Sequence, residues 1–193
     1  MRHAYARWRA ARQDPERPTM RTMELLDSCA RAAFVVLLAA AASAQPPSKP
    51  AAVFANVLPE LKQKTQLPVL LPGRLPSLLA KTVFATAETG AGAYTIRLES
   101  EPDCKGSEVC YVGTLTAVKG GAFSFPETVQ ISQGLQGRFR PASCAGTCTP
   151  PAIEWKVNGV LYTAQLTLKA RNDRDQRSAL IQLADSASLA GPR

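Results

Sequence analysis

Four cysteines in the second half of the chain are the residues best suited to covalent or metal chemistry. They are Cys104, Cys110, Cys144 and Cys148. An even number of cysteines in an exported chain favours disulfide bonds, and four cysteines can pair in three ways. We predict Cys104 with Cys110 and Cys144 with Cys148, because each pair brackets a glycine-containing turn at the end of a predicted strand. The alternatives are two cross-connected bridges, or a zinc site with four thiolate ligands at an unusual spacing.

The N-terminal segment predicts that the chain is exported. Arg31 precedes an apolar run at residues 32–42, and Ala42-Ser43-Ala44 has the pattern of a signal-peptide cleavage site. The run is shorter than the roughly 20 apolar residues of a membrane-spanning helix. We therefore predict that residues 1–44 are a signal peptide with an extended basic region, and that the mature protein is secreted or periplasmic. The alternatives are an uncleaved anchor and a buried core helix. Alternative translation starts are Met20 and Met23.

Cleavage after Ala44 would leave a chain without histidine, since His3 is the only one. Ser-His-Asp and Cys-His nucleophile systems need an imidazole, and common catalytic zinc sites use histidine ligands. These classes of enzyme are therefore excluded if the signal is removed. A hydrolase that uses carboxylates is not excluded, and the loop at residues 99–108 gathers four acidic side chains. That loop lacks the ligand spacing of an EF-hand, so we favour a solvated acidic turn over a calcium site.

The composition indicates a globular domain with an excess of basic residues. The chain has 193 residues, of which 46% are hydrophobic and 20% charged, and its formal net charge is +8. Late basic residues could face an anionic envelope polymer or lipid head groups, or could form a solvated surface. Nucleic acid is not expected, because few aromatic residues are interleaved with them. The candidate anionic-partner surface comprises Arg138, Arg140, Lys156, Arg171, Arg174 and Arg177, with Lys169 nearby in the sequence.

The stretch at residues 153–169 predicts a β-hairpin around which the fold is organised. Asn158-Gly159 lies between two runs rich in β-branched and aromatic residues, which is typical of a type I′ turn. This turn places Trp155 opposite Tyr162, and we expect Trp155 in the core rather than in a ligand cleft. Only Leu161 breaks the alternation of apolar and polar residues. We therefore predict a half-buried antiparallel hairpin with one solvated face.

The remaining patterns predict one α+β domain at residues 53–193, after a proline-rich tether at residues 45–52. It contains a twisted, mostly antiparallel sheet, a short N-terminal helix and a C-terminal helix packed on one face. The first helix is predicted at residues 56–64, with Asn56 as its cap. The prolines of residues 67–76 predict an extended edge segment over the core. The last helix is predicted to open with a capping box at Asp173 and Gln176, and to bury Leu180, Leu183, Ala184 and Ala187.

Three of these stretches together resemble a bacterial cell-envelope domain of unknown function. It is found at the C-termini of exported lipoproteins and anti-sigma-type membrane proteins. The stretches are Pro68-Val-Leu-Leu-Pro72 with Leu75-Pro76, Ile153-x-Trp155-x-x-x-Gly159-x-x-Tyr162, and Ala179-Leu-Ile-Gln-Leu-Ala-Asp-Ser186. The resemblance implies an extracytoplasmic α+β domain without established catalysis, and it transfers no functional residue. The cysteine pairs are additional to that pattern, and no lipid or membrane anchor is evident.

These observations favour a non-enzymatic binding or structural module of the cell envelope, whose partner is a protein or an anionic envelope polymer. No catalytic residue, cofactor or metal ligand is predicted. One alternative is a carrier that encloses a small apolar ligand in a dry cavity under the sheet. A second alternative is a histidine-free hydrolase that uses a pair of carboxylates.

Overall fold

The computed structural model describes residues 49–79, 82–104, 107–170 and 172–193. The predicted signal peptide and residues 45–48 of the predicted tether lie outside the described residues. At the end of the tether, the backbone N–H of Ala51 donates to the carbonyl of Pro72 at 3.0 Å. A single turn of 3-10 helix, Ala52–Phe54, follows and buries Phe54.

The described ranges contain nine strands, and seven of them form one sheet. The order across the sheet is β1-β2-β3-β9-β8-β5-β4, and every neighbouring pair is antiparallel. β6 and β7 form a separate hairpin. The strands are β1 (Phe84–Gly90), β2 (Ala93–Glu99), β3 (Tyr111–Lys119), β4 (Glu127–Gln130), β5 (Gln136–Arg140), β6 (Ser143–Ala145), β7 (Thr147–Thr149), β8 (Ala152–Val157) and β9 (Val160–Leu166). Together with helices α1 (Leu58–Lys64) and α2 (Asp173–Ala190), they confirm the α+β prediction.

The hairpin of β8 and β9 has the predicted turn and register. Asn158 and Gly159 both have positive φ, 50° and 77°, as a type I′ turn requires. Trp155 pairs with Tyr162, and their rings stack with centroids 5.7 Å apart. Both side chains are buried, so Trp155 belongs to the core.

We define the inner face of the sheet as the one that carries Trp155 and Tyr162. It is covered by α1, by residues 67–76 and by α2. The Tyr162 hydroxyl donates to the Pro68 carbonyl at 2.8 Å, and the Leu70 N–H donates to the Tyr94 hydroxyl at 3.3 Å. The proline-rich segment therefore lies over the core as predicted, but it crosses the inner face rather than lying at an edge. Because its prolines lack backbone N–H groups, the segment cannot pair as a regular strand. Tyrosine side chains hydrogen-bond to its backbone instead.

Both predicted helix caps differ from those in the structure. Asn56 lies before the α1 cap residue and donates its amide to the Ala85 carbonyl on edge strand β1, at 2.9 Å. At α2, Asn172 accepts from the Asp175 N–H at 2.9 Å and is the cap. Gln176 instead accepts from the Ala142 N–H at 3.2 Å, which ties the start of α2 to the chain after β5. The predicted apolar stripe of α2 is buried, as expected.

The opposite, outer face of the sheet is less solvated than predicted. It carries Glu154, Lys156 and Leu161, which alternate with the core residues of β8 and β9. Leu161 is 8% exposed and Glu154 is 4% exposed. Residues 121–126, which we call the covering segment, pass over this part of the sheet. Leu161 therefore breaks the alternation of apolar and polar residues because it packs against the covering segment on the outer face.

Candidate functional site: a cationic shelf and an adjoining cleft

Glu154 fixes the covering segment to the outer face. Its carboxylate accepts three hydrogen bonds, from the Ser124 N–H at 2.8 Å, the Ser124 hydroxyl at 2.7 Å and the Phe125 N–H at 3.2 Å. Gly121 begins the segment and lies directly on Leu161, because a Cβ at Gly121 would be 2.8 Å from the Leu161 Cβ. A buried carboxylate is stable only when its oxygens are hydrogen-bonded, and the segment supplies those donors.

The covering segment places two aromatic rings beside three cations. The Lys156 Nζ lies 4.9 Å from the centre of the Phe123 ring, and the Arg138 Cζ lies 6.0 Å from it. The Arg140 Cζ lies 4.9 Å from the centre of the Phe125 ring. These distances are within the range of cation–π attraction. We call this group of five residues the cationic shelf, since the rings hold the cations in an open arrangement on one surface.

The structure brings together three of the six predicted anionic-partner residues. Arg138, Arg140 and Lys156 lie on the outer face, in the shelf. Arg174 and Arg177 lie on α2, which packs on the inner face, and Arg177 forms an ion pair with Glu127 at 2.9 Å. Arg171 lies outside the described residues.

Phe123 and Phe125 are the part of the shelf that the sequence did not indicate. The Phe-Ser-Phe spacing suggests that both rings project to one side, but the segment is not amphipathic over a longer range. The arginines follow it by more than a dozen residues and Lys156 comes later still. Nothing local therefore connects the aromatic residues with the cations, which meet only when the sheet has formed.

The cysteines form the two predicted disulfides, Cys104–Cys110 and Cys144–Cys148. The second bridges directly opposed residues of β6 and β7. Because all four sulfurs are in disulfides, the zinc and cross-connected alternatives do not occur. The Glu101 carboxylate lies within 4.8 Å of the Cys104 and Cys110 sulfurs, but sulfurs bonded to each other are not thiolate ligands.

A cleft of about 650 Å³ opens between the two disulfide-closed loops. Glu108 and Tyr111 contribute to one wall, and the hairpin of β6 and β7 forms the other. The lining residues are Arg97, Glu108, Tyr111, Ala142, Cys144, Thr147, Cys148, Thr149, Pro150, Pro151, Thr167, Leu168 and Gln176. The cleft is open to solvent, so it differs from the enclosed cavity that a carrier would need. Glu108 is the one carboxylate in its described lining, which does not supply the pair required by the hydrolase alternative.

The shelf and the cleft are neighbours on the outer face. The Pro150 carbonyl accepts from Arg140 Nη2 at 3.3 Å and from Gln165 Nε2 at 3.4 Å. Gln165 in turn accepts from the Tyr111 hydroxyl at 3.2 Å. Pro150 and Tyr111 both line the cleft. This chain of hydrogen bonds connects a shelf cation to the wall of the cleft, so the two surfaces are fixed relative to each other.

Two perturbed phenols lie on the inner face, away from these surfaces. Burial raises the pKa of Tyr162 to about 12. Burial, and then the neighbouring Tyr162, also raise the pKa of Tyr94 above its ordinary value. Both phenols therefore remain neutral and serve as hydrogen-bond partners of the proline-rich segment, which is a structural role.

Comparisons with protein-family models, with curated proteins and with solved structures found no match for this chain. None of the helices in the described residues is long and apolar enough to cross a membrane. The two disulfides are compatible with an extracellular or periplasmic protein.

Proposed function

We propose that this protein is an exported, non-enzymatic binding module of the cell envelope that holds an anionic polymer on the cationic shelf. The observation that carries the proposal is the convergence of Arg138, Arg140 and Lys156 on two aromatic rings. The disulfides and the resemblance to an extracytoplasmic envelope domain support the location.

The three cations are half-buried, and Arg138 Nη1 and Arg140 Nη2 each donate to a backbone carbonyl, of Pro126 at 3.1 Å and of Pro150 at 3.3 Å. None of them forms an ion pair with an acidic side chain among the residues that the structure describes. The nearest carboxylate in the register, Glu154, is buried and already accepts three hydrogen bonds from the covering segment. The cations therefore exceed the local negative charge, and a guanidinium can still donate in its plane to a phosphate, sulfate or carboxylate.

The spacing of the cations suits a polymer better than a single small anion. Arg138 and Arg140 are two residues apart on one strand, which places their Cα atoms roughly 7 Å from each other. Lys156 lies on the adjacent strand β8. A surface that carries several cations on neighbouring strands can meet successive anionic groups of a chain.

The experiment is a binding titration of the purified protein with inorganic polyphosphate and with dextran sulfate, using neutral dextran as the negative probe. The shelf variant carries Arg138→Gln, Arg140→Gln and Lys156→Gln. The control variant removes the same charge from exposed positions elsewhere, with Lys49→Gln, Lys62→Gln and Arg174→Gln. We expect the shelf variant to lose about tenfold in affinity, since each exposed pair contributes up to about 1 kcal/mol, and the control variant to lose much less.

Binding should also weaken as salt is raised, because exposed charges are screened. Equal losses in the two variants would show that only net charge matters and would overturn the shelf as a site. Absence of wild-type binding to either polyanion at low salt would overturn the proposed function itself.

A further inference from the structure

The cleft beside the shelf is lined by residues of two segments that are each closed by a disulfide. One disulfide closes the loop that carries Glu108, and the other closes the hairpin that carries Thr147 and Thr149. The amide of Gln176 joins the far wall to α2 through the Ala142 N–H. Such preorganisation reduces the entropy lost on binding. The volume of about 650 Å³ lies inside the range of small-molecule sites.

The polar groups in the cleft include both donors and acceptors without a protein partner. Among the described residues, the hydroxyls of Thr147, Thr149 and Thr167 make no side-chain hydrogen bond, nor does the Glu108 carboxylate. Within the described ranges, the Gln176 side chain uses only its oxygen, so its Nε2 can donate to a ligand. A ligand that satisfies this set must itself carry several groups that can both donate and accept.

The charge of the cleft distinguishes it from the shelf. Among the residues that the structure describes, its lining holds one cation and one carboxylate, Arg97 and Glu108, and Arg97 also lies 3.9 Å from Glu99. A polyanion would gain little here, because the opposite charges balance. Pro150, Pro151 and Leu168 add apolar surface to the lining. A ligand with hydroxyls on its edges and C–H groups on its faces matches both features, and sugar rings have that chemistry.

We infer that this cleft is a binding site for a short neutral oligosaccharide. Threonine hydroxyls, the Gln176 amide and the Glu108 carboxylate bind the sugar hydroxyls, while the two prolines and Leu168 contact the ring faces. The inference does not depend on the polymer proposed for the shelf, because the two sites use different residues and the cleft lacks the excess of positive charge that the shelf has.

The test is a two-dimensional NMR titration of the purified protein with cellotriose, with maltotriose and with the trimer of N-acetylglucosamine. We expect at least one sugar to give saturable shifts in the backbone amides of residues 107–111, 142–149 and 167–168. The cleft variant carries Thr147→Val and Thr167→Val, which keep the side-chain shape and remove two hydroxyls. It should weaken binding about tenfold. The matched control, Thr116→Val with Thr163→Val, removes two hydroxyls from the outer face outside the cleft and should bind normally.

The same spectra show whether each variant is folded, so a loss of binding is not confused with unfolding. Three outcomes would overturn the inference: no saturable shift with any of the sugars, equal binding by the cleft variant and the wild type, or shifts in these loops with a proline-rich peptide but with none of the sugars. Inorganic polyphosphate should shift amides of the shelf and leave the cleft unchanged, so failure of one site is distinguishable from failure of the other.

Discussion

Replacement of Glu154 tests whether one buried carboxylate holds the covering segment and, through it, the cationic shelf. Glu154→Ala removes the acceptor of three hydrogen bonds from Ser124 and Phe125, at 2.7 to 3.2 Å. A hydrogen bond to a charged group contributes about 1.5 to 3 kcal/mol, but Ser124 and Phe125 are close to solvent and can bind water once released. We therefore expect a loss of about 2 to 4 kcal/mol in the free energy of unfolding, less than three full bonds would give.

Glu154→Gln is the control that separates hydrogen bonding from charge. Its amide oxygen can accept from the two backbone N–H groups, and its NH₂ can donate to the Ser124 hydroxyl. We expect this variant to lose less than about 1 kcal/mol and to keep the shelf. Urea denaturation measures both variants, and a titration with polyphosphate reports the shelf. An alanine variant as stable as the wild type, or a glutamine variant as unstable as the alanine one, would refute the hydrogen-bonding argument.

Three further predictions concern the sheet and the disulfides. Gly137→Ala should destabilise the protein by about 1 to 3 kcal/mol in urea denaturation, because the new Cβ would lie 2.7 Å from the Glu154 carbonyl oxygen and 2.6 Å from Ile131 Cδ1. The control is Gly90→Ala, whose Cβ meets nothing within 4 Å and which should be tolerated in the same assay. Burial raises the pKa of Tyr162 from 10.0 to about 12. The stability that the neutral Tyr162 phenol contributes should therefore be complete below pH 10 and should disappear as pH rises toward 12. Urea denaturation at several pH values across that range measures this, and a free energy of unfolding that does not change with pH would contradict it. Mass spectrometry of tryptic peptides without reduction should find Cys104 linked to Cys110 across the cleavage at Lys105, and four free thiols at these cysteines would contradict the pairing.

Several features could be predicted from the sequence because their causes lie within a few residues. Asn158 and Gly159 accept positive φ, which fixes the turn and hence the register of β8 against β9. The apolar stripe of α2 depends only on helical spacing. The cysteine pairs are close in the sequence, so their short loops bring the sulfurs together whatever the rest of the chain does.

The shelf, the cleft and the role of Asn56 were decided by the tertiary structure, whereas the α2 cap at Asn172 is a local contact. Asn56 is a good cap by type, yet its amide is used on the Ala85 carbonyl because α1 lies beside the edge of β1. The shelf exists because β3 pairs with β9 and β8 with β5, which carries the segment after β3 across the outer face toward Arg138 and Arg140. Local propensity sets the form of each strand and turn. The order in which distant strands pair, and so which side chains a loop meets, depends on contacts far apart in the sequence.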